Sequence, residues 1–201
     1  MEEVKNKELT RSVLNEIFIS QINKLKSKGV PLNILNAMIK KRSALFDAVL
    51  SSPEHFGSGL IPFIPIVPAR TLGEFEYLLS YYGIQQSDNL HYKCIVDSVE
   101  APLTPYFMIG VHDNLECPPD LKPGQRSPLL AIEIMALSCH YPNLLGEHHL
   151  NAASSKCPDP SKKETEGDVV NLHLNPCRQA VLRPRFYVPG AEGSPSCAGR
   201  F

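Results

Sequence analysis

The chain has 201 residues, of which 43% are hydrophobic and 20% are charged. A chain of this length can bury enough surface for one core, and its composition excludes disorder over most of its length. The formal net charge of −1 excludes a general field that would attract nucleic acid or an anionic membrane. Residues 1–50 are moderately basic, but no aromatic residue interleaves the lysines as a nucleic-acid stacking surface requires.

The compartment is predicted from the start of the chain and from its cysteines. Residues 1–8 are charged and lack the apolar core of a signal peptide, and no apolar run is long enough to span a membrane. We therefore expect a cytoplasmic protein without a membrane partner. Six cysteines stand at positions 94, 117, 139, 157, 177 and 197. Without an export signal their even number does not predict disulfides, and their dissimilar flanks exclude a repeat.

An N-terminal helical hairpin is predicted over residues 1–52. Apolar residues at spacings of three and four predict a first helix over 10–28 and a second through 35–49. Gly29 would end the first helix and Pro31 would begin the second. Two such helices cannot bury both apolar stripes against each other. We expect them to pack on the rest of the chain, and the alternative is a homodimer formed through them.

Residues 53–201 are predicted to form an α+β domain, in one unit with the hairpin. Prolines interrupt the apolar segment 60–68. Because proline cannot donate to a sheet, this predicts either an extended edge segment or a polyproline-like arm, buried against the core. The fold class is a small mixed or antiparallel sheet with packed helices. Its other predicted elements are a helix at 72–82 with a Thr71 cap and a Gly83 stop, strands at 92–99 and 106–112, a helix from 127 toward 142, an exposed loop at 158–167, and paired strands at 169–174 and 180–188.

Histidines and cysteines of the second half could supply zinc ligands. The chain has no Cys-x-x-Cys pair, and the adjacent His148 and His149 would point in different directions. His173 and Cys177 have a familiar ligand spacing, with Pro176 between them. We predict no metal and no other cofactor, and keep His173, Cys177 and Cys157 as the candidate ligands.

A thiol enzyme would use Cys197 or Cys139, with His140 as a further catalytic candidate. Cys139 is predicted at the C-terminal end of a helix, where the helix dipole opposes a thiolate. Cys197 stands three residues before Arg200, a cation that favours one. The alternative is that these cysteines pack as small apolar side chains.

Arginines of the second half could bind an anion, because the planar guanidinium group suits carboxylate and phosphate. The alternative for Arg126 is an ion pair with Glu133 that ties a loop to a helix. The candidate binding residues are Arg126, Arg183, Arg185 and Arg200.

The last nine residues, 193–201, combine small residues with a cysteine and a penultimate arginine. Small residues permit close approach of the backbone, and arginine offers a five-donor fork. We therefore expect this segment to be folded back onto the core. Cys197 should be buried, and Arg200 should bind a carboxylate or backbone carbonyls of its own domain.

Four segments in order resemble a bacterial family known only as a domain of unknown function. They are Ile61–Pro68, Pro105–Val111, Arg126–Leu129 with the later Glu133, and Gly193–Arg200. The resemblance covers residues 57–201. Leu130 stands where that family has a threonine, and the loop at 158–167 is longer. The resemblance implies a bacterial origin and no particular activity.

No acid, base or nucleophile stands out, whereas apolar stripes and scattered arginines do. We therefore interpret the chain as a binding or interaction protein whose partner is unknown. The alternative is a small enzyme that uses Cys197 or a His/Cys zinc site.

Overall fold

The structure is a computed structural model that describes residues 9–51, 60–88, 90, 95–112, 127–147, 149–157, 168–186, 195–197 and 199–201. Over these residues it has the predicted α+β fold. The helices are α1 (Arg11–Ser27), α2 (Leu32–Lys40), α3 (Arg42–Leu50), α4 (Leu72–Tyr82), α5 (Ala131–His140) and α6 (Leu144–Glu147). The strands are β1 (Ile61–Ile66), β2 (Ile84–Gln86), β3 (Val96–Asp97), β4 (Tyr106–Val111), β5 (Ser127–Pro128), β6 (Leu150–Cys157), β7 (Asp168–Leu174), β8 (Ala180–Phe186), β9 (Ser196–Cys197) and β10 (Gly199–Arg200).

The predicted N-terminal helices are present, but the second one was wrong in extent. Helix α1 begins at a Thr10 cap, whose side chain accepts from the N–H of Val13, and ends before Gly29 at φ +86°. The predicted second helix is divided into α2 and α3 at Lys41. There the backbone N–H bonds to the carbonyl of Met38, three residues back, at 3.0 Å. This tighter turn interrupts the α-helical ladder and starts a new helix.

The N-terminal helices pack on a three-stranded sheet of order β1-β4-β10. Phe18 of α1 and Phe46 of α3 meet Phe63 of β1 and Phe107 of β4, with ring centroids 5.8 to 6.3 Å apart. Gln21 of α1 also donates to the carbonyl of Phe63 at 2.9 Å. The expectation that these helices pack on their own chain is confirmed, and the homodimer stays a prediction.

The proline-interrupted segment is a buried edge strand, the first of the two predicted alternatives. Among the described strands, β1 pairs antiparallel with β4 alone, in a register that places Phe63 opposite Ile109. Phe63, Ile64 and Ile66 have no exposed surface. Pro65 is tolerated because the outer side of an edge strand needs no N–H donor.

A second sheet has the order β2-β8-β7-β6-β3, with β2 parallel to β8 and the other pairs antiparallel. The predicted pairing of the last two long strands is confirmed as the β7–β8 hairpin. Of the strand predicted at 92–99, residues 92–94 lie outside the described residues, and the strand found is the short β3. It lies in a different sheet from the strand predicted at 106–112, since β3 pairs with β6 and β4 pairs with β1.

Helix α5 lies between the two sheets and contacts β1, β6, β7 and α4. Every residue from Ala131 to Cys139 is buried. The predicted start of this helix at Ser127 was wrong, because Ser127 and Pro128 form β5, which pairs with β9. The helix begins only at Ala131.

The described helices include none that is long and apolar enough to cross a membrane.

Three predictions lie outside the described residues. They concern the loop at 158–167, the domain boundary at residues 52 and 53, and Arg126.

Helix α4 confirms its prediction, with a Thr71 cap and Gly83 in the left-handed region at φ +67°.

Candidate functional site

The C-terminal segment is folded back on the core, as its composition predicted. Strand β10 pairs antiparallel with β4, and β9 pairs with β5 so that Cys197 lies opposite Ser127. Phe201 extends the pairing through two backbone hydrogen bonds with Phe107, of 2.8 and 2.9 Å. Cys197 has no exposed surface, which confirms its expected burial.

Arg200 binds a carboxylate of its own domain, which also confirms the expectation. Its Nε donates to Oε1 of Glu133 at 2.6 Å and its Nη2 donates to Oε2 at 2.8 Å. Nη1 donates to Oγ of Ser127 at 2.8 Å, and Nη2 also donates to the carbonyl of Pro128 at 3.1 Å. The side chains are 10% and 0% exposed for Arg200 and Glu133. This is a bidentate, buried ion pair, the geometry in which arginine binds carboxylate most strongly.

Both oxygens of Glu133 are fully used by the protein. Besides Arg200, Oε1 accepts from the hydroxyl of Tyr106 and Oε2 accepts from the N–H of Leu130, each at 2.8 Å. We call Arg200, Glu133, Tyr106 and Ser127 the Arg200 cluster. Because its groups bond to one another, the cluster offers little to a ligand and holds the end of the chain to the start of α5.

The charges of the Arg200 cluster are fixed by their surroundings. Burial alone would lower the pKa of Arg200, but the hydrogen bonds and the charge of Glu133 outweigh it and raise that pKa. Burial, followed by the charge of Glu133, raises the pKa of Tyr106. Arg200 therefore stays charged and Tyr106 stays neutral near neutral pH. Neither is suited to exchange a proton there.

The start of α5 is capped from a distant strand. Leu130 precedes the helix and has no hydroxyl to offer. Instead, the N–H of Ala131 donates to Oγ of Ser155 in β6 at 2.8 Å, and the Ser155 hydroxyl donates in turn to Oδ1 of Asp97 in β3. Ser155 has no exposed surface. The side chain that caps this helix therefore also orients a carboxylate.

A cavity of about 230 Å³ opens beside Asp97. It is lined by Ala69, Phe75, Ile95, Asp97, Ala101, Ala131 and Ile132. We call it the Asp97 pocket. Among the described lining residues the side chains other than Asp97 are apolar. Asp97 is an exposed residue, but the groups packed around its carboxylate desolvate it and raise its pKa. The Ser155 hydrogen bond and the charge of Arg200 act in the opposite direction.

The catalytic candidates Cys139 and His140 lie at the C-terminal end of α5, as predicted. Burial raises the pKa of the Cys139 thiol, and Lys24 and Lys28 only partly oppose this. Burial and the charge of Lys24 lower the pKa of His140 to about 4. The thiol is therefore protonated and the imidazole neutral at neutral pH, which is the resting state of an unactivated cysteine.

The candidate zinc ligands are spread over the second sheet. Cys157 is paired with Asp168 at the start of β7, whereas His173 lies near its other end and Cys177 is exposed in the turn that follows. Nδ1 of His173 is 3.1 Å from the carbonyl oxygen of Val181. In the part of the chain that the structure describes, no three His, Cys, Asp or Glu residues are grouped as a metal site requires.

The candidate arginines are divided between the two sheets. Arg183 and Arg185 lie two residues apart on β8, while Arg200 lies on β10 of the other sheet. Nε of Arg183 and Oδ1 of the cross-strand neighbour Asn171 are buried and have no hydrogen-bond partner among the described residues. Sequence reasoning named Arg200 but missed Asp97 and Ser155, which carry no motif and meet only through the β3–β6 pairing.

The comparisons with known proteins give no relative from which a function could be transferred. Neither the models of protein families, nor the curated proteins, nor the solved structures contain a match to this chain.

Proposed function

We propose that the chain is a binding or interaction protein without a catalytic apparatus, and that its ligand occupies the Asp97 pocket. The observation that carries the proposal is a cavity whose described lining has one carboxylate, Asp97, among apolar side chains. Ligand sites in proteins are concave and mostly apolar, with a few polar groups that fix orientation. The Arg200 cluster supports the proposal indirectly, because its strong polar groups are committed to each other.

Acid–base catalysis needs a second group within reach of the reacting atoms, or a nucleophile next to a base. Asp97 is the one titratable side chain among the described residues that line the pocket. The hydroxyl of its partner Ser155 donates a hydrogen bond to Asp97 and accepts one from the N–H of Ala131. This hydroxyl is therefore a helix cap rather than an attacking group. Binding is the simpler use of such a cavity.

The cysteine-enzyme alternative has less support. Cys197 is fully buried between paired backbone segments, and burial raises the pKa of Cys139. A nucleophilic cysteine is partly exposed and has a lowered pKa. Among the described residues, Cys139, Cys157, Cys177 and Cys197 are thiols rather than disulfides, which supports the proposed cytoplasmic location. The proposed bacterial origin rests on the order of the resembling segments.

The test is differential alkylation of the native protein by iodoacetamide, read by mass spectrometry over a pH series. Among the four described cysteines, we expect the exposed Cys177 to react first, with Cys139, Cys157 and Cys197 modified only after unfolding. A Cys177→Ser variant is the matched control, since it should remove the label at position 177 and leave the labelling of Cys139, Cys157 and Cys197 unchanged. Rapid modification of Cys197 below neutral pH would overturn the proposal in favour of a thiol enzyme.

A further inference from the structure

The chemistry of the Asp97 pocket points to a class of ligand, an inference that rests on the proposed function. One oxygen of Asp97 accepts from Ser155. Over the described residues the other oxygen has no hydrogen-bond partner within the protein. A carboxylate accepts only and offers about four lone-pair sites. The pocket therefore presents an acceptor with capacity left for a donor from outside.

The charges around the pocket leave a negative excess. Among the described residues, the ionised groups that act on Asp97 are Glu133 and Arg200, and these two neutralise each other in their buried ion pair. Within this part of the chain, Asp97 is thus left as the uncompensated charge at the cavity. A ligand with one positive charge would restore neutrality, whereas an anion would be repelled.

Two N–H groups at the start of α5 are not open to an anion. The positive end of a helix dipole attracts anions through its free N–H groups. At α5 the N–H of Leu130 is bound by Glu133 and that of Ala131 by Ser155. These two donors are already satisfied by the protein, so they add no attraction for an anion.

The size and walls of the cavity restrict the apolar part of the ligand. A cavity of about 150 Å³ lined by apolar side chains is enough to hold benzene, and this one measures about 230 Å³. Phe75 and Ile132 supply buried apolar surface, with exposed fractions of 1% and 8%. Phe75 also offers an aromatic ring to a ligand cation or ring.

We infer that the Asp97 pocket binds a small organic cation, with an ammonium group on the open oxygen of Asp97 and a short apolar substituent against Phe75 and Ile132. The ligand would be of the size of an aromatic or branched aliphatic primary amine. Because its ammonium group pairs with an ionised carboxylate, its affinity should fall as the pH is lowered and Asp97 takes up a proton.

The test uses three probes of the same shape and different charge, benzylamine, benzyl alcohol and benzoate. Each is titrated into ¹⁵N-labelled full-length protein, with the amide shifts of Ala101, Ala131 and Ile132 as the readout. We expect benzylammonium to shift these amides with an affinity about fivefold or more above that of benzyl alcohol. Benzoate should bind more weakly than either.

Two variants assign the effect to the carboxylate. Asp97→Asn keeps the shape and should reduce benzylamine affinity about fivefold, leaving benzyl alcohol unchanged. Glu100→Gln removes an exposed charge three residues away and is the matched control, expected to bind as the wild type does. Ala101→Phe should fill the cavity and weaken all three probes. Far-ultraviolet circular dichroism checks that each variant is folded.

The outcomes separate the inference from the proposed function. If benzyl alcohol or benzoate binds at these amides as well as benzylamine does, the cation inference fails and a binding protein remains. If no probe shifts the amides of folded protein, the inference fails, and the alkylation experiment decides the proposed function by itself. Unchanged benzylamine affinity in Asp97→Asn would also overturn the inference.

Discussion

Replacement of Arg200 by methionine should strongly lower the free energy of unfolding. Arg200→Met removes four hydrogen bonds, two of them to Glu133. It leaves the Glu133 carboxylate, which is 0% exposed, with only its bonds from Tyr106 and Leu130. Removal of one partner from a buried ion pair costs about 3–5 kcal/mol, because the remaining charge is uncompensated. This is a large share of the roughly 5–15 kcal/mol by which domains are stable.

The measurement is the free energy of unfolding from urea titrations followed by circular dichroism. The exposed ion pair of Arg11 with Asp47 is the matched control, since its side chains are 54% and 62% exposed. Arg11→Met is the same substitution at a solvent-exposed position, and it should lower the free energy of unfolding by less than about 1 kcal/mol. The difference between the two methionine variants isolates the effect of burial.

A double-mutant cycle gives the coupling of Arg200 to Glu133. Glu133→Gln removes the charge and keeps an acceptor for Tyr106, and the double variant removes both charges. We expect the double variant to lose less unfolding free energy than the two single variants lose when their losses are added, with a coupling energy of about 2 kcal/mol. Equal costs for Arg200→Met and Arg11→Met, or additive effects in the cycle, would refute the reasoning.

Three further predictions concern stability. Deletion of residues 193–201 removes β9 and β10, and calorimetry should show a melting temperature lowered by more than about 10 °C; an unchanged value would exclude a clasping role. Burial and Lys24 lower the pKa of His140 to about 4 from 6.5, so the unfolded chain binds more protons between these values and stability falls as the pH drops through them. His140→Phe should reduce the fall in the free energy of unfolding between pH 7 and pH 4.5 by roughly 2 kcal/mol, as measured by urea unfolding. An equal fall in the wild type and the variant would contradict this prediction. Thr71→Ala removes the cap on the N–H of Glu74 and should cost about 1 kcal/mol, whereas Thr71→Ser should cost little.

Elements with a local cause could be predicted from the sequence. Helix α4 has its cap and its stop written at Thr71 and Gly83, and the prolines of β1 restrict it to an edge. The C-terminal segment was recognisable because its small residues and Arg200 suit a buried, bonded terminus. Each of these inferences depends on residues close together in the chain.

Elements whose cause is distant could not be predicted in this way. The apolar pattern through 35–49 stays in phase across the turn, since Met38 and Leu45 are seven residues apart. It therefore does not reveal the turn at Lys41 that separates α2 from α3. Ser127 was predicted to start a helix, yet its backbone pairs with Cys197, far along the chain. The Asp97 pocket depends on the pairing of β3 with β6, and no spacing in the sequence encodes that pairing.

The Arg200 cluster and the Asp97 pocket have one physical origin in the burial of α5. The first N–H groups of this helix face protein rather than water, so they must be bonded within the chain. Leu130 cannot supply the bond, and Glu133 and Ser155 do so from two directions. Glu133 then requires a buried cation, which Arg200 provides. The Ser155 hydroxyl requires an acceptor for its own proton, which Asp97 provides. The chain of donors therefore ends at Oδ1 of Asp97. The other oxygen of the same carboxylate is the one left for a ligand, so the charge that would select a ligand is held in place by the capping of the central helix.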